Sequence, residues 1–251
     1  MRKTAIVTGA SSGIGRALAI KLAENGYDLV ITGRRTDRLA DLEKELKKAG
    51  ADVLSLGFDV SKCEEVKSNL GTLSGKWAKI DLLVNNAGGA LGKEPIQEGA
   101  IEDWDRMIDT NVKGLLYVSR IILPMMCRNN GGHIVNLCSI AGKQVYAEGN
   151  VYCASKHAVD AISKAIRIDA LPYGVKVTNI CPGAVETEFS IVRFHGDEEK
   201  AAATYKGFTP LTAEDIADTI YYCVSLPAHV CINDLTIMPT AQADSAHFFK
   251  K

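Results

Sequence analysis

The stretch that decides the fold is TAIVTGASSGIGRALAIKLAENG, residues 4–26. It opens with an apolar run typical of a buried strand and continues into a turn rich in glycine. After the turn, Ile14, Leu18 and Leu22 recur every four residues, which is the spacing of one face of a helix. Strand, tight turn and helix therefore follow one another directly, and this order predicts the start of a βαβ unit.

The same alternation of apolar runs and amphipathic helical stretches continues to the end of the chain. Most of the runs are apolar without clean alternation, as strands buried on both faces must be. No linker, repeat or low-complexity segment interrupts the pattern. We therefore expect one α/β domain over residues 1–251, with a doubly wound parallel sheet. The predicted strands are 4–8, 29–32, 53–56, 80–84, 133–137, 175–180 and 235–238.

Composition excludes several classes of protein. The 251 residues are 47% hydrophobic and 24% charged, values typical of globular proteins, and the net charge of −1 gives no basic field for a nucleic acid. No apolar run approaches the roughly 18 residues that cross a membrane. Seven scattered cysteines without a CxxC pair fit neither a disulfide framework nor a metal site. We expect a cytoplasmic protein that binds no metal, no nucleic acid and no membrane.

The turn after the first strand has the composition of a phosphate-binding loop. Gly9, Gly13 and Gly15 allow the backbone to approach a ligand closely, at the start of a helix where free N–H groups attract anions. The alternative is that the three glycines serve only to pack the helix against the sheet. Because the strand and the helix both stand in the right places, we favour a site for the pyrophosphate of a dinucleotide.

The end of the second strand indicates which dinucleotide binds. NAD enzymes usually carry an acidic residue here for the ribose, whereas NADP enzymes carry an arginine for the 2′-phosphate. The sequence reads ITGRR, with Arg34 and Arg35 and no carboxylate, which favours NADP. The alternative is that both arginines are solvated charges that pair with Asp37 or Asp41. Asp59-Val60 and Asn86-Ala87-Gly88 follow the third and fourth strands, and we expect them at the same ligand-binding edge of the sheet.

Four polar side chains form a candidate catalytic group. Tyr152 and Lys156 lie four residues apart on a helix, so that an ammonium beside the phenol is expected to lower its pKa and make it a usable acid and base. Ser139 follows the fifth strand and is placed to bond a substrate carbonyl, and Asn111 is a fourth group directed toward this edge. Taken singly, each has an ordinary alternative: a surface pair with Asp160, a turn cap or a core amide. Their joint presence favours catalysis.

These motifs resemble the short-chain dehydrogenase/reductase family over nearly the whole chain. TGASSGIG, NNAG, Asn111, Ser139 with YxxxK, and PGAVET at residues 182–187 carry the resemblance. It implies a Rossmann fold, the catalytic residues Asn111, Ser139, Tyr152 and Lys156, and a homotetramer formed through the two long helices around Asn111 and Lys156. The implied cofactor contacts are Gly9, Ser11, Ser12, Gly13, Ile14, Gly15, Arg34, Arg35, Asp59, Val60, Asn86, Ala87, Gly88, Tyr152, Lys156, Pro182, Gly183, Val185 and Thr187.

Segments outside the generic motifs resemble a group within this family, the NADP-dependent 3-hydroxy acid dehydrogenases. They include LVNNAGGALGKEPI and TEFSIVRFHGD. The resemblance implies oxidation of short 3-hydroxy acids such as serine, L-allo-threonine or 3-hydroxypropionate. Two alternatives remain open: reduction of another carbonyl class (an oxoacyl thioester, a sugar or a steroid), or a non-catalytic scaffold that binds NADP. The filled catalytic positions argue against the scaffold.

A hydroxy acid substrate needs a cationic group for its carboxylate. The segment 183–210 lacks regular periodicity and is long for a loop, which predicts a lid over the substrate. Within it, Arg193 lies between apolar residues and is the candidate carboxylate clamp, unless it pairs with Asp197 or a neighbouring subunit. The predicted substrate contacts are Ser139, Gln144, Tyr152 and Arg193, with Lys143 as a further fallback donor.

Overall fold

A computed structural model describes residues 2–251 of the chain. Seven parallel strands form one sheet in the order β3-β2-β1-β4-β5-β6-β7. The strands are β1 Lys3–Thr8, β2 Tyr27–Gly33, β3 Val53–Gly57, β4 Leu82–Asn85, β5 Gly132–Leu137, β6 Val175–Pro182 and β7 Asp234–Ile237. Each predicted strand is present, and the boundaries differ by a few residues. The prediction of a doubly wound parallel sheet is confirmed.

Helices connect the strands and cover both faces of the sheet. A π-helical turn, Asp109–Gly114, joins two of them into one long helix. The helices are α1 Gly13–Glu24, α2 Thr36–Lys48, α3 Cys63–Leu70, α4 Ile101–Ile108, α5 Leu115–Arg128, α6 Asn150–Ala170, α7 Phe189–Arg193, α8 Glu198–Tyr205 and α9 Ala213–Ser225. No helix within residues 2–251 is long and apolar enough to cross a membrane.

Two apolar layers hold the helices on the sheet. On one face, Leu18 and Leu22 of α1 pack with Ile216 and Ile220 of α9, and all four side chains are fully buried. On the other face, Ile122 of α5 belongs to a second cluster that also takes in α3 and α6. Since the strands contribute to both clusters, they need apolar side chains on both faces, which explains their unbroken apolar runs.

The order of the strands places the site. The chain passes from β1 outward to β2 and β3, and then returns to β4 on the opposite side of β1. The loops after β1 and β4 therefore diverge and leave a crevice at the carboxyl edge of the sheet, which is where ligands of such folds bind. The segment 183–210 lies over this edge and contains α7 and α8, so it is more regular than the sequence indicates.

Candidate active site

The glycines of the turn after β1 are needed for packing, apart from any role in binding a ligand. Gly9 and Gly13 have φ angles of +66° and +51°, which side chains rarely adopt. A Cβ atom on Gly9 would lie 2.9 Å from the Cα atom of Ala87, and one on Gly15 would lie 2.5 Å from the carbonyl oxygen of Gly9. Close packing of α1, β1 and β4 therefore requires these glycines, so the packing alternative describes part of their role. Gly15 does not line the cleft.

A cleft of about 830 Å³ opens directly beyond this turn. α1 begins after Ser12 without a side-chain cap, so its first N–H groups are free to meet an anion. Arg34 and Arg35 also line this cleft, so it is suitable for a dinucleotide carrying a 2′-phosphate. The predicted residues that line it are Gly9, Ser11, Ser12, Gly13, Ile14, Arg34, Arg35, Asp59, Val60, Asn86, Ala87, Gly88, Ser139, Tyr152, Lys156, Pro182, Gly183, Val185, Thr187 and Arg193.

The two arginines after β2 have different surroundings. Arg34 is 66% exposed and lies 3.8 Å from the carboxylate of Asp59. Arg35 turns toward the glycine-rich turn and donates to Ser12 Oγ at 2.6 Å and to Ser11 Oγ at 3.2 Å. Neither arginine pairs with Asp37 or Asp41, so the alternative of solvated charges paired with those two residues does not describe the structure. Arg35 instead forms an ion pair with Glu188, which comes from the loop before α7.

Tyr152 and Ser139 lie next to each other in the lining of the cleft. Tyr152 is 8% exposed, and the Phe189 ring packs edge-on against it with centroids 5.7 Å apart. Burial raises the pKa of the Tyr152 phenol above its usual value, while the Ser139 hydroxyl beside it acts in the opposite direction. The predicted lowering of this pKa is therefore wrong for the free protein, because burial outweighs the favourable groups.

Lys156 is held away from the phenol by the backbone. Its Nζ atom donates to the carbonyl oxygen of Leu137 at 2.8 Å and lies 5.9 Å from the centre of the Tyr152 ring. Burial also lowers the pKa of Lys156, so its charge is less firmly held than that of an exposed lysine. The predicted spacing on one helix face is present, but a direct contact between ammonium and phenol is not.

Asn111 lies behind the cleft wall rather than in it. It sits in the π-helical turn, where its amide forms two hydrogen bonds of 2.9 Å with the backbone of Gly89 and donates to Ser155 Oγ at 3.0 Å. Ser155 donates in turn to the carbonyl oxygen of Tyr152. Asn111 thus ties the loop after β4 to α6. In this structure it is a positioning residue, and its predicted catalytic role stays a prediction.

Arg193 lies beside the phenol, as the clamp hypothesis requires. It is 9% exposed, and its guanidinium carbon is 5.8 Å from the centre of the Tyr152 ring. Its hydrogen bonds go to uncharged oxygens, the Gly92 carbonyl at 3.1 Å and the Tyr146 hydroxyl at 3.0 Å. Asp197 instead caps α8, so the alternative in which Arg193 pairs with that residue is not what the structure shows. Within residues 2–251, Arg193 forms no salt bridge with a carboxylate, and it lines both the cleft and a small neighbouring pocket that also contains Glu94 and Asp103.

The structure does not bring two other predicted substrate contacts to the cleft. Gln144 is exposed and lies outside the cleft, where its side-chain oxygen accepts from Ser245 N at 2.9 Å. Lys143 forms ion pairs of 2.6 Å with both Asp160 and Asp234. Both residues lie within five positions of Ser139, but the chain makes a 3-10 turn at Ile140–Gly142 that turns them away from the cleft.

Sequence reasoning missed Tyr146, which orients Arg193. Tyr146 lies in the loop between the 3-10 turn and α6, a stretch without periodicity. Its contact with Arg193 spans 47 positions of the chain. The only local signal was an aromatic residue in a short loop a few positions before Tyr152.

The fold, the glycine-rich turn and the Tyr-Lys pair define a class of protein. Residues 3–197 match the family described as short chain dehydrogenase, and the chain belongs to that family. The predicted resemblance is confirmed, and with it the class of enzyme, an oxidoreductase.

Individual relatives cover nearly the whole chain. NADP-dependent 3-hydroxy acid dehydrogenase YdfG of Salmonella typhi is 47% identical over 239 residues, 95% of each chain. Sulfoacetaldehyde reductase 2 of Chromohalobacter salexigens is 43% identical over 247 residues, 98% of each chain. Among solved structures, the closed form of serine dehydrogenase complexed with NADP+ superposes with a TM-score of 0.92 at 42% identity and covers 99% of both chains. The predicted cofactor, NADP, agrees with these descriptions.

Proposed function

We propose that the protein is an NADP-dependent oxidoreductase that interconverts the hydroxyl of a short 3-hydroxy acid and the corresponding carbonyl. The observation that carries this proposal is the buried guanidinium of Arg193, 5.8 Å from the centre of the Tyr152 ring. A cation without a carboxylate partner is costly to bury, and an anionic group on the substrate offsets that cost. The site therefore suits a small acid better than a neutral sugar or a steroid.

The proposed chemistry is a proton exchange beside a redox step. NADP, when bound, supplies hydride transfer at the reacting carbon. Burial raises the pKa of the Tyr152 phenol and so keeps it protonated at neutral pH, which gives it a proton to donate to the carbonyl oxygen in the reducing direction. Ser139 Oγ accepts from Ala141 N at 3.1 Å and donates only through a long bond of 3.4 Å to Pro182 O, so its hydroxyl proton is available to turn toward the same oxygen. Oxidation runs in reverse and is favoured by higher pH.

The segment 183–210 is proposed as the substrate lid. α7 carries Phe189 onto the phenol at one end and Arg193 into the cleft at the other. Gly92 N donates to the carbonyl oxygen of Arg193 at 2.9 Å, which ties the far end of the helix to the loop after β4. Movement of α7 would therefore open the substrate end of the cleft and carry the anion-binding group with it.

The test is a panel of substrates with purified protein. L-serine, L-allo-threonine, 3-hydroxyisobutyrate and 3-hydroxypropionate are assayed with NADP, and sulfoacetaldehyde is assayed with NADPH, each against an uncharged short alcohol or aldehyde. We expect kcat/KM for the best charged substrate to exceed that of its uncharged analogue by about 10- to 100-fold, the effect of one charge-assisted contact. Equal values for charged and neutral substrates would contradict the proposal.

Sulfoacetaldehyde, the sulfonate in that panel, tests a second candidate function. Sulfoacetaldehyde reductase 2 matches nearly the whole chain, and a sulfonate presents an anion to Arg193 much as a carboxylate does. A preference for sulfoacetaldehyde over every hydroxy acid would favour this candidate over the first.

We also propose that the protein works in the cytoplasm as a homotetramer built on α5 and α6. Leu116 of α5 is 42% exposed, and Ile168 of α6 and Leu171 just beyond it are 72% and 73% exposed. Apolar side chains on helices that cover one face of a sheet are suited to burial against a second copy. The seven cysteines are all free thiols, which is compatible with a reducing compartment.

A further inference from the structure

A carboxylate occupies the basic end of the cleft. Glu188 Oε2 lies 2.8 Å from Arg35 Nη1, and Glu188 Oε1 lies 2.5 Å from Arg38 Nη1. Glu188 is the residue directly before α7, whereas Arg35 and Arg38 stand at the start of α2. The two arginines hold the pKa of Glu188 below its usual value, so the group is a carboxylate at neutral pH.

The polar groups around this carboxylate are those that a phosphate monoester needs. Arg35 also donates to Ser11 and Ser12, so one guanidinium spans the glycine-rich turn and the carboxylate. Two guanidiniums and nearby hydroxyls suit an anion with several oxygens and a charge near −2. A glutamate carboxylate satisfies the same donors with a single charge. Arg34, which the sequence pointed to equally, instead lies 3.8 Å from Asp59.

We propose that Glu188 is an internal competitor for the 2′-phosphate of NADP, and that Arg38 is the second arm of the phosphate site. This rests on the proposed NADP dependence. The carboxylate keeps the two guanidiniums together when no cofactor is bound. It must give up at least one of them when the 2′-phosphate arrives, because two anions cannot share the same donors without repulsion. Glu188 thereby weakens NADP binding and leaves NAD binding unaffected.

The test measures binding by calorimetry, without turnover. The ligands are NADP, NAD and the fragments 2′-AMP and 5′-AMP. Glu188→Gln should bind NADP and 2′-AMP about three- to tenfold more tightly than the wild type, a modest gain because the ion pairs are about 40% exposed and screened by water. Its affinity for NAD and 5′-AMP should stay within about twofold. Arg38→Gln should weaken NADP and 2′-AMP about tenfold and leave the other two ligands unchanged.

Glu45→Gln is the matched control. Glu45 pairs with Arg16 at 2.5 Å with similar exposure, on helices α1 and α2 but outside the cleft. This variant changes the net charge by the same amount and should bind all four ligands as the wild type does. Unchanged or weaker NADP binding by Glu188→Gln would overturn the competitor role, and unchanged binding by Arg38→Gln would overturn the second arm.

NADP and NAD binding by the wild type show whether the competitor role alone fails or the proposed cofactor fails as well. Wild-type protein that binds NADP no more tightly than NAD contradicts the proposed cofactor, and the inference falls with it. Wild-type protein that prefers NADP while Glu188→Gln shows no gain contradicts the competitor role alone.

Discussion

Tyr152 provides the clearest test of the proposed chemistry at the scale of a single residue. Tyr152→Phe keeps the ring that packs against Phe189 but removes the only atom that exchanges a proton. We expect kcat to fall by at least about 100-fold, the low end for general acid-base catalysis, while the NADP dissociation constant changes little. Steady-state rates and a cofactor titration measure the two quantities.

Tyr27→Phe is the matched control for that substitution. Tyr27 is 6% exposed, close to the 8% of Tyr152, and burial also raises the pKa of its phenol, to about 12. It lies at the amino end of β2, at the opposite edge of the sheet from the site. This variant should keep the wild-type kcat. More than about a tenth of the wild-type rate in Tyr152→Phe would rule out the proposed acid, since general acid-base catalysis is worth at least about 100-fold.

Arg193 tests the substrate class. Arg193→Met keeps much of the apolar stem and removes the guanidinium. We expect KM for the preferred acid to rise about 10- to 100-fold, while kcat/KM for an uncharged short alcohol barely changes. The comparison of the two substrates is the measurement.

Arg167→Met is the control for Arg193. Arg167 also donates to backbone carbonyl oxygens, those of Val177 and Asn233, but it lies outside the cleft. It should leave the ratio of the two substrates unchanged. An equal loss on charged and neutral substrates in Arg193→Met would make this arginine a structural residue.

At the scale of one element, β5 contains a titratable group that the site does not use. His133 Nε2 lies 2.7 Å from Thr178 Oγ1, and because that hydroxyl donates to Ile232 O, the imidazole must be the donor. Its Nδ1 atom is then a buried acceptor without a partner among the described residues. Burial, with a smaller effect of Lys176, lowers the pKa of His133 to about 3.

This arrangement predicts a loss of stability in mild acid. Because the folded pKa is below the unfolded value of about 6.5, the free energy of unfolding is highest above pH 6.5 and falls as the pH drops toward 3. At pH 5 the loss from this group is about 2 kcal/mol relative to pH 7.5. His133→Gln keeps a donor for Thr178 but does not titrate, so urea unfolding at the two pH values should show a smaller loss.

His229 supplies the comparison for this effect. It is exposed, and His229→Gln should leave the pH dependence of unfolding as in the wild type. If His133→Gln loses as much stability as the wild type between pH 7.5 and 5, the buried imidazole is not the cause.

The strands and helices also show which parts of the fold and site the sequence could predict, and why it could not predict the others. Strands such as Val175–Pro182 were predictable because burial on both faces requires an unbroken apolar run. α7 was not, because a helix of five residues is too short to show a period. The roles of Asn111 and Gln144 depended on where their side chains point, which a π-helical turn and a 3-10 turn decide locally.

Contacts between distant segments were the least predictable part of the site. The pairing of Glu188 with Arg35 spans 153 positions, and only the folded sheet brings the two together. The glycine-rich turn, by contrast, was predictable because all of its constraints lie within a few residues. Local motifs were therefore recovered, and the network that connects them was not.

At the scale of the whole molecule, the proposed tetramer has a direct test. Ile168→Glu places a charge on a side chain that is 72% exposed in the single chain and buried in the proposed assembly. We expect this variant to sediment as a dimer or monomer at concentrations where the wild type is a tetramer. Ile96→Glu, at a residue that is 65% exposed outside α5 and α6, should sediment as the wild type does. A wild-type monomer would contradict the assembly.

The position of Arg193 has a consequence for how such an enzyme can diverge. The side chains proposed to exchange the proton stand on α6 and the turn after β5, whereas the guanidinium proposed to bind the substrate anion stands on α7, a helix of five residues. We expect a substitution confined to Arg193 to change which substrate is accepted without replacing Tyr152, Ser139 or Lys156. Selection for a new substrate can therefore act on a short stretch of the chain that carries none of the proposed proton-exchanging side chains.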